Sequence, residues 1–391
     1  MSGTEVIHAA MSNRQPHVAL LLPDLRAGGA ERVNINLANE FVARGYSVDL
    51  LLMRVAGGLR PLLDPRIRVI DLGVKRMRGV LWPLNRYLQE TRPQSLLACM
   101  WPLTVLAIAA RAASNSKTRL VVAEHTTWSA AERSRDRLHS LNLKTTMRLS
   151  FPRADGVVTV SQGAADDLAG IAGLARDRVV AIYNPIVGGA KAAVTEETPE
   201  LLDWATGPHR KVLAVGTLKA IKDYATLLRA FAILRRSVDA KLLILGEGEE
   251  RGALERLIVD LGISADVCLP GFVTSTEAYY RKADLHVLSS VGEGLPTVIV
   301  EALEQGVPVV STDCPSGPRE ILDNGRYGAL VPVADPDALA WAMQEALTRT
   351  HDRAALKARA ADFSVDQAAD AYLDLLLPDW RHVPGLSEAK R

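Results

Sequence analysis

Short, uninterrupted apolar runs alternate with helix-length amphipathic segments along almost the whole chain. In the first half the runs are "HVALLLP", "SVDLLLM", "SLLACM", "RLVVAE", "GVVTV" and "RVVAIYN"; in the second they are "KVLAVG", "KLLILG", "DVCLP", "DLHVLS", "VPVVST" and "GALVPV". Continuous Val/Ile/Leu runs suit strands covered by helices on both faces, whereas a half-exposed sheet would alternate apolar with polar. Two such series in one chain of 391 residues predict two doubly wound, Rossmann-like α/β domains. The break falls near Asn184-Pro185, where "NPIVGGAKAAVTEETPE" turns polar and rich in Gly and Pro. Residues 1–184 and 185–363 are therefore the expected domains. Ligands of such sheets sit beyond the carboxyl ends of the strands.

Charge divides along the same line. Residues 1–184 carry 24 Lys and Arg against 15 Asp and Glu, and the remainder carries 22 against 30, so a net charge of +1 hides a basic first half. That asymmetry points to an anionic partner for the first half or to a scatter of solvated arginines. Nucleic acid is a poor fit, because the whole chain is nearly neutral and only 5% aromatic. Cys99, Cys268 and Cys314 follow no metal or disulfide spacing, which points to a reducing, cytoplasmic setting. The N-terminal "MSGTEVIHAAMSNRQP" is too polar for a signal peptide or an anchor. The longest uncharged apolar run, "LLACMWPLTVLAIAA", falls short of the ~20 residues a spanning helix needs. Pro102 interrupts it, so it reads as a strand followed by a helix that starts at the proline.

The stretch Glu293–Leu322, "EGLPTVIVEALEQGVPVVSTDCPSGPREIL", carries the most chemistry. Pro296 fits the first position of a helix ending before Gly306, with Glu293 in the preceding loop and Glu301 inside the helix. Eight residues of helix rise ~12 Å, too far for a carboxylate dyad but suited to one extended ligand touched at two places. Between the acids lies a helix N-terminus, which offers free N–H groups and partial positive charge to an anion. Sugar hydroxyls at Glu293, phosphates at Gly294–Thr297 and ribose at Glu301 would fit a nucleotide-sugar. The plain reading is that Glu293 caps the helix and Glu301 faces solvent.

With these residues in this order, the stretch resembles the donor-site signature of glycosyltransferase family four, the retaining GT-B enzymes. Their Glu-x7-Glu motif matches Glu293 and Glu301, and "GVPVVSTDCPSGPREIL" follows it closely. The resemblance runs from "AGGAERVNINLANEFVARGYSVDLL" to the terminal "FSVDQAADAYLDLL". It implies a GT-B-like fold whose two domains face each other across a cleft. The last helix, near 364–378, would return to the first domain, so that 364–391 belong with it. The implied activity is transfer of a hexose-type sugar from a UDP- or GDP-sugar, with retention and without a metal ion or other cofactor.

In "AVGTLKAIKDYATLLRAFAIL" a strand ends at Gly216 and Asp223 is placed to cap the next helix. Lys219 and Lys222, in the loop between, could neutralise a departing diphosphate. Members of the family usually carry arginine where this chain has Thr217, and Lys219 is expected to supply the missing cation. "LILGEGEERGALERL" fails the dinucleotide fingerprint, because Arg251 stands at the third glycine. In the family this loop and "PGFV" at 270–273 line the nucleotide; a tight turn alone would serve Glu247 and Glu249 equally well. Gly28 and Gly29, between a strand and a helix, permit close backbone approach to a phosphate. The family places that loop against donor diphosphate and acceptor. His125, after the run "VVAEH", is a candidate contact for the transferred sugar or a structural histidine.

Two basic segments remain, residues 51–92 and "AERSRDRLHSLNLKTTMRLSFPR". The second carries apolar Leu138, Leu141, Leu143, Met147 and Leu149 among its charges, a pattern suited either to an anionic membrane surface or to packing on its own sheet. The protein that the resemblance implies is a cytoplasmic retaining glycosyltransferase of cell-surface glycan assembly, either free or peripheral on the inner membrane face. Its acceptor would be a saccharide, free or lipid-linked. The expected catalytic set is Glu293, Lys222 and His125; the donor set is Gly28, Gly29, Thr217, Lys219, Lys222, Gly294, Leu295, Pro296, Thr297 and Glu301. A nucleotide-sugar hydrolase or epimerase of the same architecture, or a non-catalytic sugar-nucleotide binder, is the competing reading.

Overall fold

The computed structural model describes residues 15–26, 28–131, 137–190 and 199–382. The N-terminal stretch to 14, residues 132–136 of the second basic segment, linker residues 191–198 and the tail 383–391 lie outside the described residues.

The chain forms two sheets. The first holds β1 (His17–Leu22), β2 (Ser47–Leu52), β3 (Arg68–Asp71), β4 (Ser95–Cys99), β5 (Arg119–Glu124), β6 (Gly156–Thr159) and β7 (Val179–Ala181), in the order β3-β2-β1-β4-β5-β6-β7. The second holds β8 (Arg210–Val215), β9 (Ala240–Leu245), β10 (Val267–Gly271), β11 (Leu285–Leu288), β12 (Val309–Thr312) and β13 (Ala329–Val331), in the order β10-β9-β8-β11-β12-β13. The ladders are parallel, for example Leu20 opposite Leu50 and Leu243 opposite Leu213. Each order reverses direction once, between β1 and β4 and between β8 and β11, which is the doubly wound pattern and its switch point. The expected pair of Rossmann-like sheets is present.

The apolar runs are continuous because alternate residues of each strand enter different cores. Val212, Ala214, Leu242, Ile244, Leu285 and Val287 pack with helices Tyr224–Leu234 and Pro336–Thr348. Their neighbours Leu213, Leu243, Leu245 and Leu288 pack on the opposite face with helices Thr297–Glu304 and Arg353–Ala361. With both faces dry, the strands read as near-continuous apolar runs, and the few polar side chains inside them, such as Asp49 and His286, are buried.

The strand missing from the sequence reading is β3. Its four residues, "RVID", are two charged and two half-buried at the sheet edge, so no apolar run announces them. Arg68 there donates to Asp49 of β2, which also accepts from Tyr87 Oη at 2.7 Å. These donors outweigh burial and hold the Asp49 carboxyl well below the usual range.

The chain divides into two compact units. One comprises 1–124, 143–158 and 369–391, and the other 125–142 and 159–368. The helix Val365–Leu376 begins in the second and ends in the first, where Asp370 pairs with the buried Arg44 and the Leu375 carbonyl accepts from Arg119. Among the described residues no helix is long and apolar enough to cross a membrane.

Candidate functional site

The loops that leave β8 and β11 start on neighbouring strands at the switch point of the second sheet, so they meet above it. Their meeting is stitched by hydrogen bonds. Val291 N donates to Ile221 O at 2.9 Å, and Ser289 Oγ to Lys222 O at 2.8 Å. At the centre Lys222 Nζ lies 2.6 Å from Glu293 Oε1, and Ser290 Oγ donates to the same oxygen at 2.6 Å. Both charged side chains are largely buried, 20% and 11% exposed. Sequence reasoning selected both residues but gave them separate parts of one nucleotide-sugar; the fold makes them one ion pair. Glu293 is not a cap on the helix that follows. That helix runs Thr297–Glu304, and Pro296 stands in extended geometry just before it rather than as its first residue. No side chain caps its start.

Loop 293–296 is held from several sides. Thr127 Oγ1 donates to Glu293 O at 2.6 Å, and both Ser161 Oγ and Ser316 Oγ donate to Gly294 O at 3.0 Å. Asn184 Nδ2 reaches Leu295 O at 3.3 Å. A side chain on Gly294 would put its Cβ 2.4 Å from the carbonyl oxygen of His125. Gly317, at a φ of +86°, sits so close that a Cβ there would lie 2.5 Å from Pro296 Cδ. Glycine is thus required for packing at both places. Glu320 adds a further tie: its carboxylate accepts the N–H groups of Gln162 and Gly163, each at 2.8 Å, beside Ser161, which caps the same helix. Thr127, Ser161, Asn184, Ser316 and Glu320 escaped the sequence reading. They are common polar residues on separate segments, and only the fold collects them around one loop.

His125 is brought to this loop through its backbone and bonds to Asn184 through its ring; burial lowers the imidazole to about 4, which keeps it neutral near pH 7. Burial and the nearby Glu293 carboxylate push Cys314 up to about 12, so the thiol stays protonated. Burial first, and Glu293 second, also raise Tyr224 well above its usual range.

Thr217 and Lys219 lie exposed in the β8 loop, and Lys219 makes no ion pair among the described residues. Asp223 caps helix Tyr224–Leu234 as expected, accepting from Thr226 N at 3.2 Å. The glycines of the β9 loop serve that same β8 loop. A Cβ on Gly246 would lie 1.9 Å from Gly216 O, and one on Gly248 2.3 Å from Leu218 O. Arg251 grips Glu247 and the Leu269 carbonyl, so the tight-turn reading of Glu247 has a structural cause. Glu301 lies inside the helix Thr297–Glu304 and accepts from Thr276 Oγ1 at 2.9 Å, apart from the Lys222–Glu293 pair. Gly28 and Gly29 begin the helix Gly29–Ala43 in the other compact unit, with the Glu31 carboxylate against Gly28. No group of three His, Cys, Asp or Glu side chains suited to a metal occurs among the described residues.

Comparison with known proteins identifies the family and the fold. A family model described as glycosyl transferases group 1 matches residues 209–349, and one described as glycosyltransferase family 4 matches 27–187. The chain is 32% identical, over 65% of its length and 67% of the other, to the Campylobacter jejuni N-acetylgalactosamine-N,N'-diacetylbacillosaminyl-diphospho-undecaprenol 4-alpha-N-acetylgalactosaminyltransferase. It is 27% identical to the lipopolysaccharide core biosynthesis glycosyltransferase LpsE of Rhizobium meliloti, over 89% and 96% of the two chains. The structure of Anabaena HepE with UDP and glucose matches at a TM-score of 0.74 and 20% identity, covering 93% of this chain and 99% of that one. That likeness shows the GT-B fold.

Proposed function

The chain belongs to glycosyltransferase family four, and we propose that it moves a hexose-type sugar from a nucleotide-sugar to a lipid-linked saccharide during cell-surface glycan assembly. Residues 185–363 would bind the donor and 1–184 the acceptor. The observation that carries the reading is the Lys222–Glu293 pair at the switch point of the second sheet, directly before an uncapped helix start. A uridine or guanosine diphosphate at Gly294–Thr297 would meet free N–H groups and positive helix potential. Glu301 would take ribose hydroxyls.

In transfer, the bond between the anomeric carbon and the diphosphate oxygen breaks, and the acceptor hydroxyl bonds to the same face of that carbon. Its proton passes to the departing phosphate oxygen. Lys222, with Lys219 in place of the arginine missing at Thr217, would offset charge growing on the diphosphate, without a metal ion. Glu293, held rigid by Lys222 and Ser290, would orient sugar hydroxyls; neutral His125 would face the sugar. Relatives whose names specify undecaprenol-linked acceptors support the lipid-linked acceptor, and the basic apolar surfaces support peripheral contact with the inner face of an anionic membrane.

A thermal-shift screen tests the donor site. At 100 times its dissociation constant, a donor that binds only the folded chain adds about 2.7 kcal/mol. UDP, GDP or one of their sugars should raise the melting temperature. A flat response across all nucleoside diphosphates and their sugars would overturn the reading, and release of free sugar without transfer would favour a hydrolase.

A further inference from the structure

The structure assigns the segment Lys75–Arg86 as a docking surface for an anionic lipid bilayer. After β3 the chain makes a short turn, Met77–Val80, and then the helix Leu81–Glu90. Val80, Leu84, Tyr87 and Leu88 fill the inward face and are buried. A helix packed in this way needs only polar residues outside. Here the outer face carries Trp82, 72% exposed, with Leu81 and Met77 at 37% and 36%.

Charge complementarity names the occupant. Between Asp71 and Glu90 the sequence holds Lys75, Arg76, Arg78 and Arg86 and no acid. Lys75, Arg76 and Arg78 are exposed and form no ion pair among the described residues. Arg86 pairs with Glu90 and lies 6.0 Å from the Trp82 ring centre. A protein partner with an acidic face would match the cations but leave Trp82, Leu81 and Met77 against polar surface. A bilayer with anionic headgroups satisfies both, with the cations at phosphate level and the indole at the boundary with the acyl chains. The surface gives the proposed membrane contact a location, and its purpose rests on the lipid-linked acceptor proposed above.

The test is co-sedimentation of the full chain with phosphatidylcholine vesicles and with vesicles containing one-third phosphatidylglycerol. Binding to the anionic vesicles alone is expected, and it should weaken as salt rises. Arg76→Glu with Arg78→Glu should lower the partition coefficient roughly tenfold or more, and Leu81→Ser with Trp82→Ser by a similar factor. Melting temperature and nucleotide thermal shift should stay at wild-type values in both variants, which separates this inference from the donor-site reading. No binding to anionic vesicles overturns it. So does undiminished binding of both variants, which would move the contact to another face, such as Leu138, Leu141 and Leu149 of the helix Arg137–Ser150.

Discussion

The α-carbon of Gly294 lies so close to the carbonyl oxygen of His125 that any side chain there would overlap it, a Cβ coming within 2.4 Å. The overlap is with backbone, which cannot rotate away. Gly294→Ala is expected to cost about 1–3 kcal/mol by overpacking and to displace Glu293. Calorimetry of the variant, beside its transfer rate, checks this; an unshifted melting temperature would show that the His125 loop yields freely.

Lys222 and Glu293 depend on each other, because removing either leaves a charge in a largely buried place. Glu293→Gln and Lys222→Met should each lower kcat by about 10²–10³-fold while nucleotide affinity changes far less. Steady-state kinetics with a donor titration separates the two effects. Equal losses in the single and double variants are expected if the pair acts as a unit.

Glu301→Ala frees Thr276 and removes the carboxylate proposed for the ribose. KM for the donor should rise roughly tenfold with kcat little altered, and a deoxyribose donor should no longer distinguish the variant from wild type. Wild-type KM in this variant would take Glu301 out of the site.

Glu320 holds two amides at the start of the helix Gln162–Ala172. Glu320→Ala leaves both N–H groups without that partner and should destabilise by about 1–3 kcal/mol. Chemical denaturation measures it. Because Ser161 bonds Gly294 O from the same turn, transfer should fall more than donor binding does.

Acid should unfold the protein early. Burial lowers His286 to about 3 and His125 to about 4, against 6.5 in an open chain. Both rings are therefore neutral in the fold, while the unfolded chain takes up protons as pH drops below 6.5. Stability is full above that value and is lost progressively until the folded values are reached. His286→Phe, which keeps the ring against Tyr280 (5.4 Å between centres), should flatten the decline in melting temperature between pH 6.5 and 4. An identical decline would assign the acid lability elsewhere.

Strands buried on both faces were readable because burial itself writes the continuous apolar run, as in "KLLILG" and "DLHVLS". β3 was not, since an edge strand with Arg68 pairing sideways to Asp49 carries no such signature. Asp223 could be placed at a helix start from its neighbours alone, whereas Pro296 was misplaced by one residue because extended and first-turn prolines share the same φ. Lys222 and Glu293 were each visible, but 71 positions apart in the chain their pairing was not. The polar residues around Gly294 O were hidden for a related reason. A serine that donates to a distant carbonyl looks, in sequence, like any other serine.

Where Gly246 and Gly248 leave no room for a Cβ, the two loops join main chain to main chain, Leu218 N donating to Glu247 O at 2.9 Å and Glu250 N to Leu218 O at 3.0 Å. Such a seam contains no side chains to exchange. Substitution in these loops is then confined to residues that project from the seam, Thr217 and Lys219 first, while an insertion in either loop would pry the two apart.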